Sequence, residues 1–369
     1  MDETPLSIGY IRRNLQRVRK WNPTRMLAGE QEGGVHRMDL NECPFPPSPR
    51  VVKAIQDAAI KVNRYPDGVC PEVSERLSAM TGVPADQICW GTGSSELVGN
   101  IAMISVSPGD GVVAPGPVWR RFANVFNVVD ARVIRVANRA DGSVDPYGLV
   151  DALDAGTKLL VAVSPNNPSG AMLSAEEITY LAENVPDDVL LYLDEAYFEF
   201  ARFAGGPDGL KILQEKRRGP WVVTRTFSKA YAMAGMRLGY ALTSSDVISN
   251  ALRAVTSTFN VTALAEAAAL AALDDVDYAR EIQERTAAER ARLVEGLRNL
   301  GLEPLPSVTN FVSAALPVPA APVVEELKTR RIRIGAWGEE GFENFIRISL
   351  GLPEDTDAVL AALRDILKK

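Results

Sequence analysis

Residues 189–197 have the sequence VLLYLDEAY, an apolar run that ends in two acidic residues. An unbroken apolar run of this length is typical of a strand buried on both faces of a parallel sheet. Open α/β sheets bind ligands at the carboxyl ends of their strands, which is where Asp194 would lie. Taken alone, Asp194 could instead cap a helix that follows the strand. The stretch predicts an α/β fold with a candidate ligand site beside Asp194 and Tyr197.

A second apolar run lies upstream. Residues 159–163 (LLVAV) are followed by the tight turn SPNNPSG at residues 164–170, whose asparagines can donate side-chain hydrogen bonds. From about residue 49 to residue 262, helical and strand-like segments alternate along the chain. Such alternation predicts a largely parallel sheet with helices on both faces. Asn167 would then lie near Asp194 at the carboxyl edge of the sheet.

The last part of the chain has a different pattern. Residues 263–300 are rich in alanine, glutamate and arginine and are typical of two helices, after which come three strand-like segments and a closing helix. We predict three regions: an amino-terminal arm over residues 1–45 that contributes to the small domain, a large cofactor-binding domain over 46–262, and a small α+β domain over 263–369. The ligand would lie in the cleft between the large and small domains.

Residues 226–229 (TFSK) and the later Arg237 provide a lysine, two hydroxyls and a guanidinium. A phosphorylated aldehyde such as pyridoxal phosphate needs this set, because the lysine forms a Schiff base while the hydroxyls and the guanidinium bind the phosphate. Taken alone, Lys229 would be read as a solvated surface lysine. Together with the acid, the tyrosine and the asparagine described above, it predicts a cofactor site.

Residues 91–96 (GTGSSE) are predicted to open a helix. Backbone N–H groups and the helix dipole would add to the hydroxyls of Ser94 and Ser95 in binding a phosphate. The same glycines could begin a dinucleotide-binding fingerprint, but Glu96 occupies the place of its third glycine. We therefore expect Ser94 and Ser95 to bind the cofactor phosphate and Gly93 to belong to the cofactor site.

The composition is that of an ordinary soluble globular chain, with 369 residues, 46% apolar residues, 24% charged residues and a net charge of -7. The acidic balance argues against binding to nucleic acid, and no apolar run approaches membrane-spanning length. The basic residues 11–20 are typical of a solvated or subunit-contacting helix, with a membrane anchor as the alternative. Three widely spaced cysteines without an evident signal peptide indicate reduced thiols and a cytoplasmic location.

His36 is the only histidine in the sequence. Ser-His-Asp catalysis is therefore excluded unless His36 is the base. No cluster of residues has the spacing of zinc ligands, so we predict no metal site. Proton transfer must then use another group, and Lys229 is the natural candidate.

Four motifs resemble, in order, those of the fold-type-I pyridoxal-phosphate-dependent aminotransferases: NPSG at 167–170, DEAY at 194–197, SK at 228–229, and Arg237. Three further segments are similar to the histidinol-phosphate aminotransferase branch of that family: LNECPF at 40–45, RYPD at 64–67 and GSSEL at 93–97. The resemblance covers nearly the whole chain. It implies an aspartate-aminotransferase-like fold, pyridoxal 5'-phosphate as the cofactor, and a homodimer with shared active sites.

The resemblance also implies a role for each matching residue. Asp194 would pair with the pyridine nitrogen, whose pKa a nearby carboxylate raises. Tyr197 and Asn167 would donate hydrogen bonds to the phenolic oxygen of the ring. Lys229 would bind the cofactor and, once displaced by the substrate amine, move a proton between Cα and the cofactor. The phosphate ligands would be Ser94, Ser95, Thr226, Ser228 and Arg237, and Gly93 would also belong to the cofactor site.

Four more residues complete the implied site. Tyr65 would reach the cofactor phosphate of the partner subunit. Trp119 would stack on the cofactor ring, with ordinary packing of a buried indole as the alternative. Arg347 would bind the α-carboxylate of the substrate through its paired N–H groups, and Asn41 would also contact the substrate.

The sequence departs from this branch at one informative place. Members that act on phosphorylated substrates carry a second arginine after a short strand, and the matching position here is Gly335; Cys43 also replaces an asparagine of the early motif. We therefore expect a ping-pong aminotransferase of amino-acid biosynthesis that takes a free L-amino acid, aromatic ones included, to its 2-oxo acid.

Three alternatives stay open. The first is a histidinol-phosphate aminotransferase proper. The second is a pyridoxal-phosphate decarboxylase or another specialised biosynthetic enzyme on the same fold, since related sequences share the motifs and differ in which Cα bond lies perpendicular to the ring. The third is a non-catalytic binding protein, and the intact Lys229, Asp194 and Arg237 count against it.

Overall fold

The computed structural model describes residues 12–15 and 34–368. These residues form eleven strands, which are, in chain order, β1 (His36–Met38), β2 (Ile88–Gly91), β3 (Gly111–Gly116), β4 (Arg132–Ala137), β5 (Thr157–Val163), β6 (Leu190–Asp194), β7 (Trp221–Thr226), β8 (Gly239–Thr243), β9 (Phe311–Ala315), β10 (Ile332–Ala336) and β11 (Phe345–Ser349).

The same residues form thirteen α-helices, which are α1 (Pro49–Ala58), α2 (Pro71–Thr81), α3 (Ser94–Ser105), α4 (Arg121–Val128), α5 (Pro146–Asp151), α6 (Ala175–Asn184), α7 (Phe198–Phe203), α8 (Gly209–Lys216), α9 (Asp246–Val255), α10 (Ala263–Asp274), α11 (Val276–Asn299), α12 (Ala320–Thr329) and α13 (Pro353–Leu367). Local sequence explains several helix starts. Ser174, for example, accepts a hydrogen bond from the backbone of Glu177 and forms a capping box with its side chain at the start of α6.

The large sheet has seven strands in the order β2-β8-β7-β6-β5-β3-β4. Strands β3 to β7 pair in parallel, and only β8 runs antiparallel to its neighbours β2 and β7. Parallel strands place their carboxyl ends at one edge of the sheet, so the residues that follow β5, β6 and β7 lie together. The predicted α/β fold with a mostly parallel sheet is confirmed.

Helices cover both faces of the large sheet. Along β6, Leu191 and Leu193 pack into the hydrophobic core on one face, whereas Leu190 and Tyr192 pack into the core on the other. Every residue of β6 is buried. The unbroken apolar run therefore reflects a strand that has no solvent-facing side.

The small sheet has four strands in the order β1-β10-β11-β9. Strand β1 joins it by pairing in parallel with β10, and the other pairs are antiparallel. Met38 of β1 packs into a separate core with α11, α12 and α13. The amino-terminal segment thus contributes to the small sheet, and β11 brings Arg347 towards the large one.

The boundaries at residues 45 and 262 stay predictions. Helix α10, which follows the second boundary, buries Ala265, Ala268 and Ala269 in a core of the large sheet. The predicted arm and its basic helix lie largely outside the described residues. No helix of residues 12–15 and 34–368 is long and apolar enough to cross a membrane.

Candidate active site

A cavity of about 360 Å³ lies at the carboxyl edge of the large sheet, beside β11 of the small one. Twelve of the predicted site residues line it: Asn41, Ser94, Ser95, Trp119, Asn167, Asp194, Tyr197, Thr226, Ser228, Lys229, Arg237 and Arg347. Leu40 and Glu42 of the segment after β1 form part of the wall. Among the described residues, no group of three or more His, Cys, Asp or Glu could hold a metal ion.

Asp194 is the last residue of β6 and is only 2% exposed. Its Oδ1 accepts hydrogen bonds from the backbone of Ala196 at 3.0 Å and from the hydroxyl of Thr224 at 3.3 Å. Burial raises its pKa to about 7, because the charged form loses its hydration. A cation placed in the cavity against this carboxyl would restore its charge, so Asp194 suits a protonated ring nitrogen.

Lys229 follows β7 and extends its amine into the cavity. The Nζ atom donates hydrogen bonds to the carbonyl oxygens of Asn41 at 2.9 Å and Leu40 at 3.3 Å. Burial, followed by the nearby charge of Arg347, lowers the pKa of Lys229 to about 8. A larger share of free amine at neutral pH makes this lysine a nucleophile suited to an aldehyde.

A group of donors suited to a phosphate lies at the start of α3. The hydroxyls of Thr226 and Ser228 are hydrogen-bonded at 3.0 Å, and Arg237, in a left-handed conformation with φ 54°, lines the same cavity. The guanidinium of Arg237 donates to the carbonyl of Thr92 at 3.2 Å. The start of α3 adds backbone N–H groups and a dipole that favours an anion.

Two glycines allow this close approach. A Cβ on Gly93, which has φ +80°, would lie 2.5 Å from Nη2 of Arg237. A Cβ on Gly239 would lie 2.7 Å from the backbone nitrogen of Ser94. The sequence pointed to Gly93, because this residue lies in the GTGSSE segment. Nothing near Gly239 in the sequence indicates its close contact with Ser94. Gly93 does not line the cavity itself; it makes room for the guanidinium that does.

Arg347 lies on β11 at the other end of the cavity. Its Nη1 donates to Oδ1 of Asn167 at 2.7 Å, which leaves the Asn167 amide nitrogen for another acceptor. Its Nε is buried without a hydrogen-bond partner among the described residues. Burial lowers the pKa of Arg347, as expected of a cation that has lost hydration. A part-buried guanidinium with a free donor is suited to a ligand carboxylate.

The side chain of Asn41 has other partners. Its Nδ2 donates to the hydroxyl of Tyr197 at 2.8 Å, and its Oδ1 accepts from the hydroxyl of Ser349 at 2.8 Å. Ser349 was missed by sequence reasoning, although it lies two positions after Arg347 on β11 and so faces the same side of the strand. That Asn41 binds the substrate stays a prediction.

Trp119 is partly buried and lines the cavity wall while its ring packs edge-on against Phe122, with 6.2 Å between the centroids. Cofactor stacking and hydrophobic packing are therefore compatible. Tyr65 is different: it is 82% exposed, does not line the cavity and stacks on Phe259 at 4.8 Å. The described residues of one chain do not bring Tyr65 to the site.

Gly335 lies directly beside Arg347, its partner in the β10–β11 pairing. A Cβ at position 335 would lie 3.5 Å from Nη2 of Arg347, an ordinary contact distance. Arg333, two residues earlier, approaches Asp39 at 3.6 Å and does not line the cavity. The Cβ of any other residue at position 335 would therefore lie beside the guanidinium of Arg347.

Comparisons with known proteins identify the family of this chain. A family model described as "Aminotransferase class I and II" matches residues 35–363. A histidinol-phosphate aminotransferase of Carboxydothermus hydrogenoformans is 35% identical over 97% of this chain and 99% of its own. An aromatic amino acid aminotransferase of Cutibacterium acnes is 33% identical over 90% of this chain and 92% of its own.

Among solved structures, the crystal structure of histidinol-phosphate aminotransferase from Sinorhizobium meliloti in complex with pyridoxal-5'-phosphate has a TM-score of 0.90 and 30% sequence identity. The match covers 98% of this chain and 99% of that one. The predicted resemblance is thus confirmed. The chain belongs to the class I and II aminotransferase family, in the branch similar to histidinol-phosphate aminotransferases.

Proposed function

We propose that this aminotransferase uses pyridoxal 5'-phosphate to convert a free L-amino acid to its 2-oxo acid by a ping-pong mechanism. The observation that carries the choice of substrate is the pair of Arg347 and Gly335. Arg347 offers one part-buried guanidinium for an α-carboxylate, whereas position 335, where the family resemblance implies an arginine in members that act on phosphorylated substrates, has no side chain.

The residues present fit this cofactor. A dianionic phosphate suits Arg237, the hydroxyls of Thr226 and Ser228 and the start of α3. Asp194, a buried acid with no cationic partner among the described residues, suits the ring nitrogen, and the amine of Lys229 is positioned for the aldehyde. When bound, pyridoxal phosphate accepts the electrons of a broken Cα–H bond. Lys229 removes and returns the proton at Cα, while Arg347 holds the α-carboxylate.

Replacing Gly335 with arginine tests the choice of substrate. We expect roughly a tenfold or larger gain in kcat/KM for histidinol phosphate relative to a free amino acid, because a charge-assisted hydrogen bond contributes about 1.5–3 kcal/mol. The control variant Gly335→Met adds a side chain of similar length without charge, and it should not show the gain. Steady-state kinetics with both donors measures the ratio.

The relatives named histidinol-phosphate aminotransferase favour the second candidate function, transamination of a phosphorylated donor. That function would replace the first if the wild-type protein reacted only with phosphorylated amines. The relative named for aromatic amino acids supports including L-phenylalanine, L-tyrosine and L-tryptophan in the donor panel. Product analysis for carbon dioxide separates transamination from decarboxylation.

We also propose that the working unit is a homodimer and that Tyr65 enters the partner's site. The support is a set of exposed apolar side chains: Ile60, Val62 and Val69 lie near Tyr65 in the chain, and Phe259 stacks on its ring. Exposed apolar patches mark interaction sites. In a dimer, the hydroxyl of Tyr65 would be available to the partner's cofactor phosphate.

Replacing Tyr65 with phenylalanine is expected to raise the Kd for pyridoxal phosphate by roughly 5- to 10-fold, the value of one hydrogen bond, while the dimer persists. The matched variant Tyr147→Phe removes a hydroxyl from an exposed tyrosine outside the patch and should leave the Kd unchanged. Sedimentation and cofactor titration give the two readouts. A monomeric wild-type protein, or an unchanged Kd in Tyr65→Phe, would contradict the shared site.

We propose a cytoplasmic location for the enzyme. The support is its chemistry: Cys43, Cys70 and Cys89 are all free thiols, which is the usual state in a reducing compartment. Burial raises the pKa of each of these thiols, so they remain protonated at neutral pH.

A further inference from the structure

A chain of hydrogen bonds leads from β11 to the hydroxyl of Tyr197. The hydroxyl of Ser349 accepts from the backbone N–H of Asn41 at 2.8 Å and donates to Oδ1 of the same residue at 2.8 Å. The amide nitrogen of Asn41 then donates to Oη of Tyr197 at 2.8 Å. Ser349, Asn41 and Tyr197 are 1%, 2% and 4% exposed, so solvent does not compete for these bonds.

The direction of the protons follows from the chemistry of each group. Because the backbone N–H of Asn41 occupies one lone pair of the Ser349 hydroxyl, the serine proton is free to be donated, and Oδ1 of Asn41 receives it. If the amide were reversed, the serine oxygen would accept two N–H groups and its own proton would lack an acceptor among the described residues. Leaving a buried donor unsatisfied is unfavourable.

Tyr197 consequently acts as an acceptor towards Asn41, and its own proton must be donated elsewhere. Among the described residues, no acceptor for that proton is within hydrogen-bond distance, and Tyr197 lines the cavity. Burial raises the pKa of Tyr197 to about 12, so the phenol keeps its proton at neutral pH. The proton is therefore available to a ligand in the cavity.

The backbone of Asn41 is fixed as well. Its φ of 54° is left-handed, a conformation that asparagine tolerates better than most residues. Its carbonyl oxygen accepts from Nζ of Lys229 at 2.9 Å and from Nδ2 of Asn310 at 3.0 Å. One residue thus contacts both the tyrosine and the lysine of the site through different groups.

We propose that Ser349 is a positioning residue that, through Asn41, keeps Tyr197 a hydrogen-bond donor to the phenolic oxygen of the bound cofactor. The acceptor is the cofactor of the proposed function, so the inference rests on that function. Ser349 and Arg347 lie on the same strand, β11. This strand would therefore bind the substrate carboxylate through Arg347 and, through Ser349, keep the Tyr197 hydroxyl a donor to the cofactor ring. A donor at the phenolic oxygen stabilises its anionic form and lowers the pKa of the Lys229–cofactor linkage.

The test is a pH titration of the visible absorption band of the cofactor-loaded protein. In Ser349→Ala the Asn41 amide loses the partner that fixes it and can accept the Tyr197 proton, so the pKa of the linkage should rise by about one unit. Ser349→Thr keeps the hydroxyl and should titrate as the wild type does. Ser249→Ala, at another fully buried serine, controls for loss of a buried hydroxyl and should not change the pKa.

The charged groups around Lys229 and Tyr197 are Arg347, Asp194, Glu42 and Arg237, and Ser349→Ala alters none of them. A second variant, Ser349→Val, covers the case in which Ser349→Ala does not fold. Valine matches the shape of threonine but has no hydroxyl and adds no charge, so it should raise the same pKa. A purely structural role would lower the unfolding temperature without moving the titration.

Each outcome is decisive. An unchanged pKa in Ser349→Ala, or in Ser349→Val where that is the variant that folds, overturns the inference, as does an equal shift in Ser349→Thr. A rise in Ser349→Ala or Ser349→Val, with wild-type behaviour in Ser349→Thr, supports it. If the wild-type protein forms no visible band with pyridoxal phosphate, the proposed function itself fails and removes the acceptor that the inference requires.

Discussion

Lys229→Ala is expected to lower kcat by at least about four orders of magnitude, because the variant loses both its bond to the cofactor and its proton-transfer group. The amine of Lys229 is held at the cavity by the carbonyls of Leu40 and Asn41, and among the described residues no other lysine lines the cavity. Single-turnover and steady-state assays with a saturating amino donor measure the loss.

Lys211→Ala, on the exposed surface of α8, is the matched control and should retain full activity. Pyridoxal phosphate should still associate with Lys229→Ala, since Arg237 and the hydroxyls at the start of α3 remain. The absorption spectrum of the bound pyridoxal phosphate, however, should be that of the free aldehyde. A variant with more than one per cent of wild-type turnover would show that another group moves the proton.

Asp194→Asn is expected to lower kcat by about 100- to 1,000-fold, the usual cost of removing one electrostatic group from a site. Asparagine preserves the shape of the side chain but cannot stabilise a protonated ring nitrogen. The cofactor should remain bound through Lys229 and Arg237, so the loss should appear in kcat more than in cofactor content. Near-normal kcat in this variant would contradict the role assigned to Asp194.

The same variant should also change how the stability of the cofactor-free protein depends on pH. Since burial raises the pKa of Asp194 above its unfolded value to about 7, its contribution to the stability of the cofactor-free protein is present at low pH and is lost as pH rises through about 7. Asp194→Asn removes this pH-dependent loss of stability, because asparagine does not titrate. The unfolding temperature of the cofactor-free variant, relative to wild type, should therefore be higher at pH 8.5 than at pH 5.

Much of the fold could be predicted because its signals are local. The apolar runs of β5 and β6 indicate strands buried on both faces, and the acid or turn that follows each run lies at the sheet edge where ligands bind. Asp194, Asn167 and Lys229 therefore converge as expected.

Other features could not be predicted because they depend on contacts between distant residues. Ser349 and Asn41 are separated by 308 positions, and nothing near either one indicates that they meet. In the sequence, Gly239 looks like any other glycine in a strand. Only the structure shows that β8 lies too close to the start of α3 for a Cβ at this position. The role of Tyr65 requires a second chain, so neither the sequence nor the structure of one chain places it.

The two sheets contribute different residues to the site. The large sheet supplies Asp194 and Lys229 at the ends of adjacent strands, whereas β11 of the small sheet supplies Arg347 and Ser349. The segment after β1 joins them, because Asn41 contacts Tyr197, Lys229 and Ser349. The residue proposed to bind the substrate, Arg347, and the residue proposed to move the proton, Lys229, are thus linked through this short segment.

The most direct measurement is the absorption spectrum of the protein loaded with pyridoxal phosphate, titrated with L-glutamate, aromatic amino acids, L-histidine and histidinol phosphate. We predict a visible band from the Lys229 linkage that at least one free L-amino acid converts to the absorption of pyridoxamine phosphate, with release of its 2-oxo acid. A band that only histidinol phosphate converts would contradict the proposed substrate class. A protein that forms no such band would contradict the assignment of Lys229 and with it the proposed function.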